Sequence, residues 1–280
     1  MYRIKCEKML ESITEKSGRA SKLRVLDFDD TIAHTVERVR VDYPGGHKMI
    51  SSEDFADYNL KEGEYFHPEL AFEEFKSINV DQATPVPFVS DLLNKFVEAE
   101  GDRNILILTA RGDEVQSFVM EFLRKKLGID NPEEKVLFKG VASKEPVAKV
   151  KVIFDHVRSN PDIKFISFFD DSGSNVKAVR AFIDVLNTKN RTDKKDSDEI
   201  KKIGSDIRQV VEDEEEAGKY YLEKPTYEPG EEVEYREMIR NFLSGEEYEA
   251  GESSNLDDPD ETDESVDLRE MTRWFFTGGR

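Results

Sequence analysis

Val25-Leu26-Asp27-Phe28-Asp29-Asp30-Thr31-Ile32 is an apolar run that breaks into acid. Asp27 and Asp29 stand two residues apart, and Thr31 follows at the same interval. A strand over 23–28 ending in Asp-x-Asp carries both acids to the carboxyl edge of a sheet. Open α/β sheets bind their ligands at that edge. Two carboxylates side by side repel, and burying them is costly unless a cation or partner offsets the charge. A divalent metal is the simplest offset. Hard oxygen ligands suit Mg²⁺, which takes one or two carboxylates together with substrate phosphate. Read alone, the run fits an acidic turn after a strand equally well.

Three later segments extend the pattern. Ile105-Leu106-Ile107-Leu108-Thr109-Ala110-Arg111-Gly112 is a second apolar run, closed by a hydroxyl residue. A hydroxyl and free backbone N–H groups at a strand-to-helix turn make a phosphate-sized anion site, to which Arg111 can add a bidentate contact. Phe165-Ile166-Ser167-Phe168-Phe169-Asp170-Asp171-Ser172 is a third apolar run ending in a second acid pair. Gly173 and Asn175 lead from it into a helical stretch, NVKAVRAFIDVL. Acids at two strand ends can meet over one metal, which a single acidic turn cannot do. In ASKEPVAKVKVIFDHV, Pro146 suits a first helical turn. Lys144, Lys149 and Lys151 are candidates there for a cation that holds nucleophile and phosphate against their mutual repulsion. A solvated helix face accounts for the lysines not so used.

In order and spacing these four segments resemble the haloacid-dehalogenase-like (HAD) hydrolase superfamily, over residues 22 to about 188. Its Asp-x-Asp-x-Thr motif is matched by Asp27, Asp29 and Thr31, its strand-closing Thr or Ser by Thr109, and its acid pair by Asp170 and Asp171. The motif lysine is placed at Lys149, with Lys144 as the rival. TARGD and FFDDS look most like small phage and bacterial members, some joined to nucleic-acid repair enzymes. The resemblance implies a doubly wound, Rossmannoid parallel sheet and phosphoryl transfer through an aspartyl-phosphate. Asp27 would be the nucleophile. Asp29 would protonate the leaving oxygen and then deprotonate water. Thr109 and Lys149 would hold the phosphoryl oxygens, with Thr31, Arg111 and Lys144 as further substrate contacts. Mg²⁺ would be bound by the Asp27 side chain, the Asp29 carbonyl and Asp170, with Asp171 close by or acting through water.

The rest of the 280-residue chain surrounds that frame. Residues 33–82 form a cap-like insertion, too short for a large helical cap and so an open cover over the site. It contains TVERVRV and a Gly45-Gly46 turn that makes a hairpin plausible, a helix start near Ser51 or Ser52, and His34, His47 and His67. His34, three residues past Thr31, is the histidine nearest the acids in sequence; surface or packing roles suit all three. Helical spacing predicts helices over 85–100 and 114–127, the second stopped by Gly128. Short strands are expected at 135–138 and 164–169, and a helix at 175–186. Strands alternating with helices mean a parallel sheet covered on both faces. Residues 189–211 read as a polar linker followed by an amphipathic docking helix, from Ile200, Ile203, Ile207, Val210 and Val211.

The charge is uneven. Residues 212–280 hold 23 acidic and 7 basic side chains, a net of −16 out of −20 for the chain, which leaves −4 for residues 1–211. The expected arrangement is a near-neutral catalytic domain with an acidic C-terminal extension, and no basic footprint for extended nucleic-acid binding. Within the tail, Tyr235–Leu243 and Leu268–Phe276 read as partner-recognition helices, with docking on the chain's own core as the alternative. Residues 1–21 read as a short amphipathic segment. Cys6 is the single cysteine, so no internal disulfide forms, and no apolar run approaches bilayer length. A cytoplasmic enzyme is expected, in the host cytoplasm or virion if the chain is phage-encoded. Its substrate would be a phosphorylated compound, with a lean toward a nucleotide or nucleic-acid end. The competing reading is an assembly or structural protein, of a phage particle if phage-encoded, that uses a HAD-like domain and binds a partner through its tail.

Overall fold

The computed structural model describes residues 21–56, 58–67, 70–100, 104–192, 203–213 and 219–244. The N-terminal segment and the 268–276 island lie outside them. The centre of the molecule is a six-stranded sheet. Its strands are β1 (Ser21–Leu26), β6 (Ile105–Thr109), β7 (Leu137–Gly140), β8 (Ile163–Asp170), β9 (Gly204–Glu212) and β10 (Tyr220–Glu223). The spatial order is β10-β9-β8-β1-β6-β7. All neighbours run parallel except β10, which pairs antiparallel with β9 at the edge. The chain builds outward from β1 through β6 to β7, then returns across β1 to β8. The strand order therefore reverses beside β1, and a crevice opens at the carboxyl ends of β1 and β8.

Helices cover both faces because alternate residues of each strand are apolar on both sides. Leu26, Ile105, Ile107 and Phe169 face one core, against α2 (Pro87–Glu100) and α3 (Gln116–Leu127). Leu23, Val25, Leu106 and Phe168 face the other, against α5 (Pro146–Ser159), α6 (Gly173–Thr192) and α7 (Glu231–Ser244). Gly128 ends α3 at a left-handed φ of 69°, as its sequence position suggested. This is an α/β fold with a mostly parallel, doubly covered sheet. Among the described residues, no helix is long and apolar enough to cross a membrane.

Residues 33–85 leave the sheet after β1 and return to α2. β2 (Ala33–His34) and β5 (Thr84–Pro85) pair antiparallel at the neck. Beyond them β3 (Arg38–Tyr43) and β4 (Gly46–Ser51) form a hairpin, and α1 (Ser52–Ala56) follows. This insertion has its own small core: Val39, Val41 and Ile50 beneath Phe55 and Phe75. Phe55 meets Phe66 and Phe72 edge-on at centroid distances of 5.8 and 5.5 Å, the arrangement that aromatic quadrupoles favour.

Three expectations need correction. Residues 204–212 are not a docking helix but strand β9. Ile203 and Ile207 face one core and Val210 the other, so a strand lying between two helical layers buries them all. Lys135 is not the start of a strand, since Pro132–Lys135 is a one-turn helix, α4, and β7 begins at Leu137. The folded domain does not end at 188 either. β9, β10 and α7 extend it to Ser244, and α7, which contains the 235–243 island, packs Ile239 and Leu243 into the second core.

Candidate active site

β1 ends at Leu26, but Asp27 keeps the sheet register by donating its N–H to the Phe169 carbonyl (2.9 Å). The chain then turns sharply. Ile32 and Ala33 both donate to the Phe28 carbonyl, and Asp30 takes a left-handed φ of 53°. After glycine, Asp and Asn enter that region most readily. The turn brings Asp27, Asp29 and Asp30 to the wall of one pocket. Asp170 and Asp171 reach the same pocket from the end of β8, and Lys149 from the start of α5.

Lys149 is buried between the strand ends. Its Nζ donates to Asp27 Oδ1 at 2.6 Å and to Asp170 Oδ2 at 2.8 Å. Burial alone would lower its pKa; the charges of Asp170 and Asp27 outweigh that and hold it above the ordinary lysine value. Asp170 Oδ1 also accepts from Ser172 N and Asn175 Nδ2, both at 3.0 Å. The Thr31 hydroxyl ties the two loops together: it donates to Asp171 Oδ1 and accepts from Asp171 N, each at 2.9 Å.

One oxygen from each of Asp27, Asp170 and Asp171 lies within 4.8 Å of the others. Burial pushes the Asp27 carboxyl well up; Lys149 opposes this, while Asp170, Asp171 and Asp29 add to it. Burial and the charges of Asp170 and Asp30 push Asp171 up as well, against Lys149 and Thr31. One lysine thus faces three close carboxylates. The buried Oδ1 of Asn175, a pocket-lining residue, has no hydrogen-bond partner. An excess of close anionic oxygens and an orphaned acceptor beside them fit a hard divalent cation.

Asp29 is held differently. Arg111 grips its carboxylate from Nε and Nη2, and the hydroxyls of Thr35 (2.8 Å) and Thr109 (3.2 Å) donate to it. Burial would raise its pKa; the Arg111 charge and these hydrogen bonds outweigh burial and hold it below the usual carboxylate range.

No protein-family model, curated protein or solved structure matches this chain.

Asp27, Asp29, Asp170, Asp171, Lys149 and Lys144 line the pocket, whose volume is about 60 Å³. Thr109, Thr31 and Arg111 are buried beside it and hold carboxylates of the protein itself. This differs from the expectation of phosphate and substrate contacts, because the protein's own acids take their donors. Thr109 also accepts from the Arg111 N–H at 3.1 Å. Lys144, the rival lysine, is held by the insertion: its Nζ donates to the Tyr58 carbonyl at 2.9 Å and stands 5.6 Å from the centroid of Phe55. Gly140 lets these loops close. A Cβ there would lie 2.3 Å from the backbone of Gly112, so only glycine lets the end of β7 abut the turn after β6.

Some pocket residues had no role assigned from sequence. Asp30 lines the wall, and its carboxylate meets His34 Nδ1 at 2.9 Å and accepts from the Ser52 hydroxyl at 2.7 Å. His34 in turn meets the Tyr220 hydroxyl at 2.5 Å, which links the neck of the insertion to the edge strand β10. The third acid of DFDDT was a signal for Asp30. Phe55 and Phe75, which also line the pocket, gave none, because only the folding back of the insertion brings them there.

Proposed function

We propose that this chain is a Mg²⁺-dependent phosphohydrolase of the HAD type that works through an aspartyl-phosphate on Asp27. One observation carries the reading. Asp27, Asp170, Asp171 and Lys149 converge in one pocket at the carboxyl edge of adjacent parallel strands, where the strand order reverses. Asp27, Asp170 and Asp171, with the Asp29 carbonyl, would hold Mg²⁺. When bound, the ion neutralises the charge that otherwise keeps an anionic phosphoryl group away from an anionic nucleophile.

In the first half-reaction an Asp27 oxygen forms a bond to phosphorus while the bond from phosphorus to the ester oxygen breaks. The leaving oxygen takes its proton from Asp29. In the second half-reaction Asp29 removes a proton from water, whose oxygen bonds to phosphorus as the Asp27–phosphorus bond breaks. Inorganic phosphate leaves, Asp27 is again a free carboxylate, and Asp29 again carries its proton. Lys149, next to Asp27, offsets charge on the phosphoryl oxygens. The firm hold of Arg111 on Asp29 favours its ionised form, which suits the second half directly. In the first half Asp29 acts in its minor protonated state, so esters with good leaving groups should react fastest.

Phe55, Phe75 and Lys144 line the same pocket beside the acids, so the organic part of the ester would lie against them. Apolar rings beside a cation suit a nucleotide or a nucleic-acid end. The test is hydrolysis of 4-nitrophenyl phosphate with Mg²⁺, with EDTA, and by Asp27→Asn. Turnover that requires both the metal and Asp27 is expected. Turnover that survives Asp27→Asn would sink the mechanism, and a folded, Mg²⁺-binding protein inactive on aryl, nucleotide and sugar phosphates would sink the activity.

A further inference from the structure

Arg111 is only 2% exposed, and its guanidinium pairs with Asp29 at 2.8 Å and Glu37 at 3.4 Å. A guanidinium has five N–H donors, and here each has a partner. Nε donates to Asp29 Oδ1 and Oδ2 at 3.1 and 3.0 Å. Nη2 donates to Asp29 Oδ1 at 2.8 Å and to Thr35 Oγ1 at 3.0 Å, with Glu37 Oε2 at 3.4 Å. Nη1 donates to the carbonyls of Phe75 (3.2 Å) and Ser77 (3.0 Å), and the guanidinium carbon lies 4.2 Å from the centroid of the Phe75 ring. No donor is left for a substrate anion.

The partners come from three places. Asp29 belongs to the turn after β1, Arg111 to the turn after β6, and Thr35, Glu37, Phe75 and Ser77 to the insertion. Glu37 Oε1 further accepts from Asn79 N at 2.6 Å, so the insertion's two ends meet at this cation. Phe75 is also part of the pocket wall.

We propose that Arg111 is a positioning residue that clamps the Asp29 carboxylate and pins the 75–77 turn of the insertion to the sheet. The pocket wall and the acid/base carboxylate are thereby set as one unit. The role given to Asp29 rests on the phosphohydrolase reading; the clamp itself does not. A positioned acid/base contributes ~10²–10⁴-fold to rate, so its misplacement should appear in turnover and not in anion affinity. A fork that grips a carboxylate and two carbonyls at once is not replaced by an ammonium.

The experiment compares the full-length wild type with Arg111→Gln, Arg111→Lys and Thr35→Val, which removes one hydroxyl from Asp29 and leaves the charges intact. The readouts are kcat and KM for 4-nitrophenyl phosphate, inhibition by inorganic phosphate, and amide hydrogen exchange without ligand. Both Arg111 variants should lose ~100-fold or more in kcat, with the phosphate inhibition constant held within about twofold, and added guanidinium should restore part of the rate to Arg111→Gln. Thr35→Val should show a smaller loss of the same kind. Exchange should quicken at 35–37 and 75–79 in Arg111→Gln. A tenfold weaker phosphate inhibition with kcat retained would make Arg111 a phosphate ligand and overturn the proposal. Unchanged exchange at 75–79 would overturn the clamp whether or not the protein turns over substrate, whereas an inactive wild type would count against the phosphohydrolase reading alone. Should Arg111→Gln fail to fold, the kcat and phosphate-inhibition pattern of Thr35→Val decides by the same criteria.

Discussion

At the scale of single residues, the site is a problem of charge balance. Lys149 bridges Asp27 and Asp170 with less than a tenth of any of the three side chains exposed. Breaking a buried pair by removing one partner typically costs about 3–5 kcal/mol, because the other charge is left uncompensated. Lys149→Ala should therefore lower unfolding stability by about that amount at neutral pH in the absence of divalent ions. Mg²⁺ should recover more stability in the variant than in the wild type, since the ion takes over part of the neutralisation. Denaturant unfolding with Mg²⁺ and with EDTA checks both. A loss below about 1 kcal/mol would mean that the two carboxylates do not rely on the lysine for their neutralisation. The acids of this site were legible in the sequence, since each stands where an apolar run stops, and such stops become strand ends on one edge. The partners of Thr31, Thr109 and Arg111 were not. A hydroxyl or guanidinium after a strand announces an anion, but not whether that anion is a substrate or the protein's own Asp171 or Asp29.

Single elements show where pattern reading holds and where it fails. The β3–β4 hairpin, α2, α3 and α6 follow from turn residues and helical spacing. β9 did not follow, because Ile203 and Ile207 are four residues apart, a spacing compatible with one face of either a helix or a strand. Only the open edge of β8 decides between them, and that edge is a long-range fact. The insertion illustrates how an element this small holds together. Its hairpin and following loop are joined through Glu64, which accepts from Lys48 Nζ at 2.5 Å, from the Tyr58 hydroxyl, and from Lys61 N at 3.0 Å. The Lys48 and Tyr58 hydrogen bonds, helped by the Lys61 amide, bring the Glu64 pKa from 4.5 down to about 2. A folded value below the unfolded one means that the stabilisation is complete above about pH 4.5 and is lost as pH falls toward 2. Acid should thus loosen the contact between β4 and the 58–64 loop in that window. The Lys61 amide proton, followed by NMR, should titrate with a midpoint near 2 in the wild type and lose the transition in Glu64→Gln. A midpoint close to 4.5 would show that the three donors do not hold Glu64 in solution.

At the scale of the whole molecule, the question is where the folded unit ends. Composition places a boundary near 188 and assigns everything after 212 to a solvated acidic tail. The sheet says otherwise: β9 and β10 widen it, and α7 covers it from the same face as α5 and α6. Acidic composition hid this because α7 needs few apolar residues to dock. Ile239 and Leu243 are buried, Tyr235, Met238 and Phe242 pack beside them, and the glutamates of the first turn face outward, with Glu231 meeting Lys177 of α6 at 2.7 Å. If α7 were a recognition helix waiting for a partner, truncating Ile239 would leave the isolated protein's stability almost unchanged. If it is part of the domain, Ile239→Ala removes a fully buried side chain from a packed core and should cost about 2–5 kcal/mol. The same variant separates two forms of docking. A shifted but single cooperative unfolding transition, reported alike by far-UV circular dichroism and by fluorescence, makes residues 203–244 one unit with the rest of the sheet. Two transitions, only the lower of them moved by Ile239→Ala, would make α7 with its edge strands a layer that can leave the domain, and would uncover the second hydrophobic core where it rests on α6.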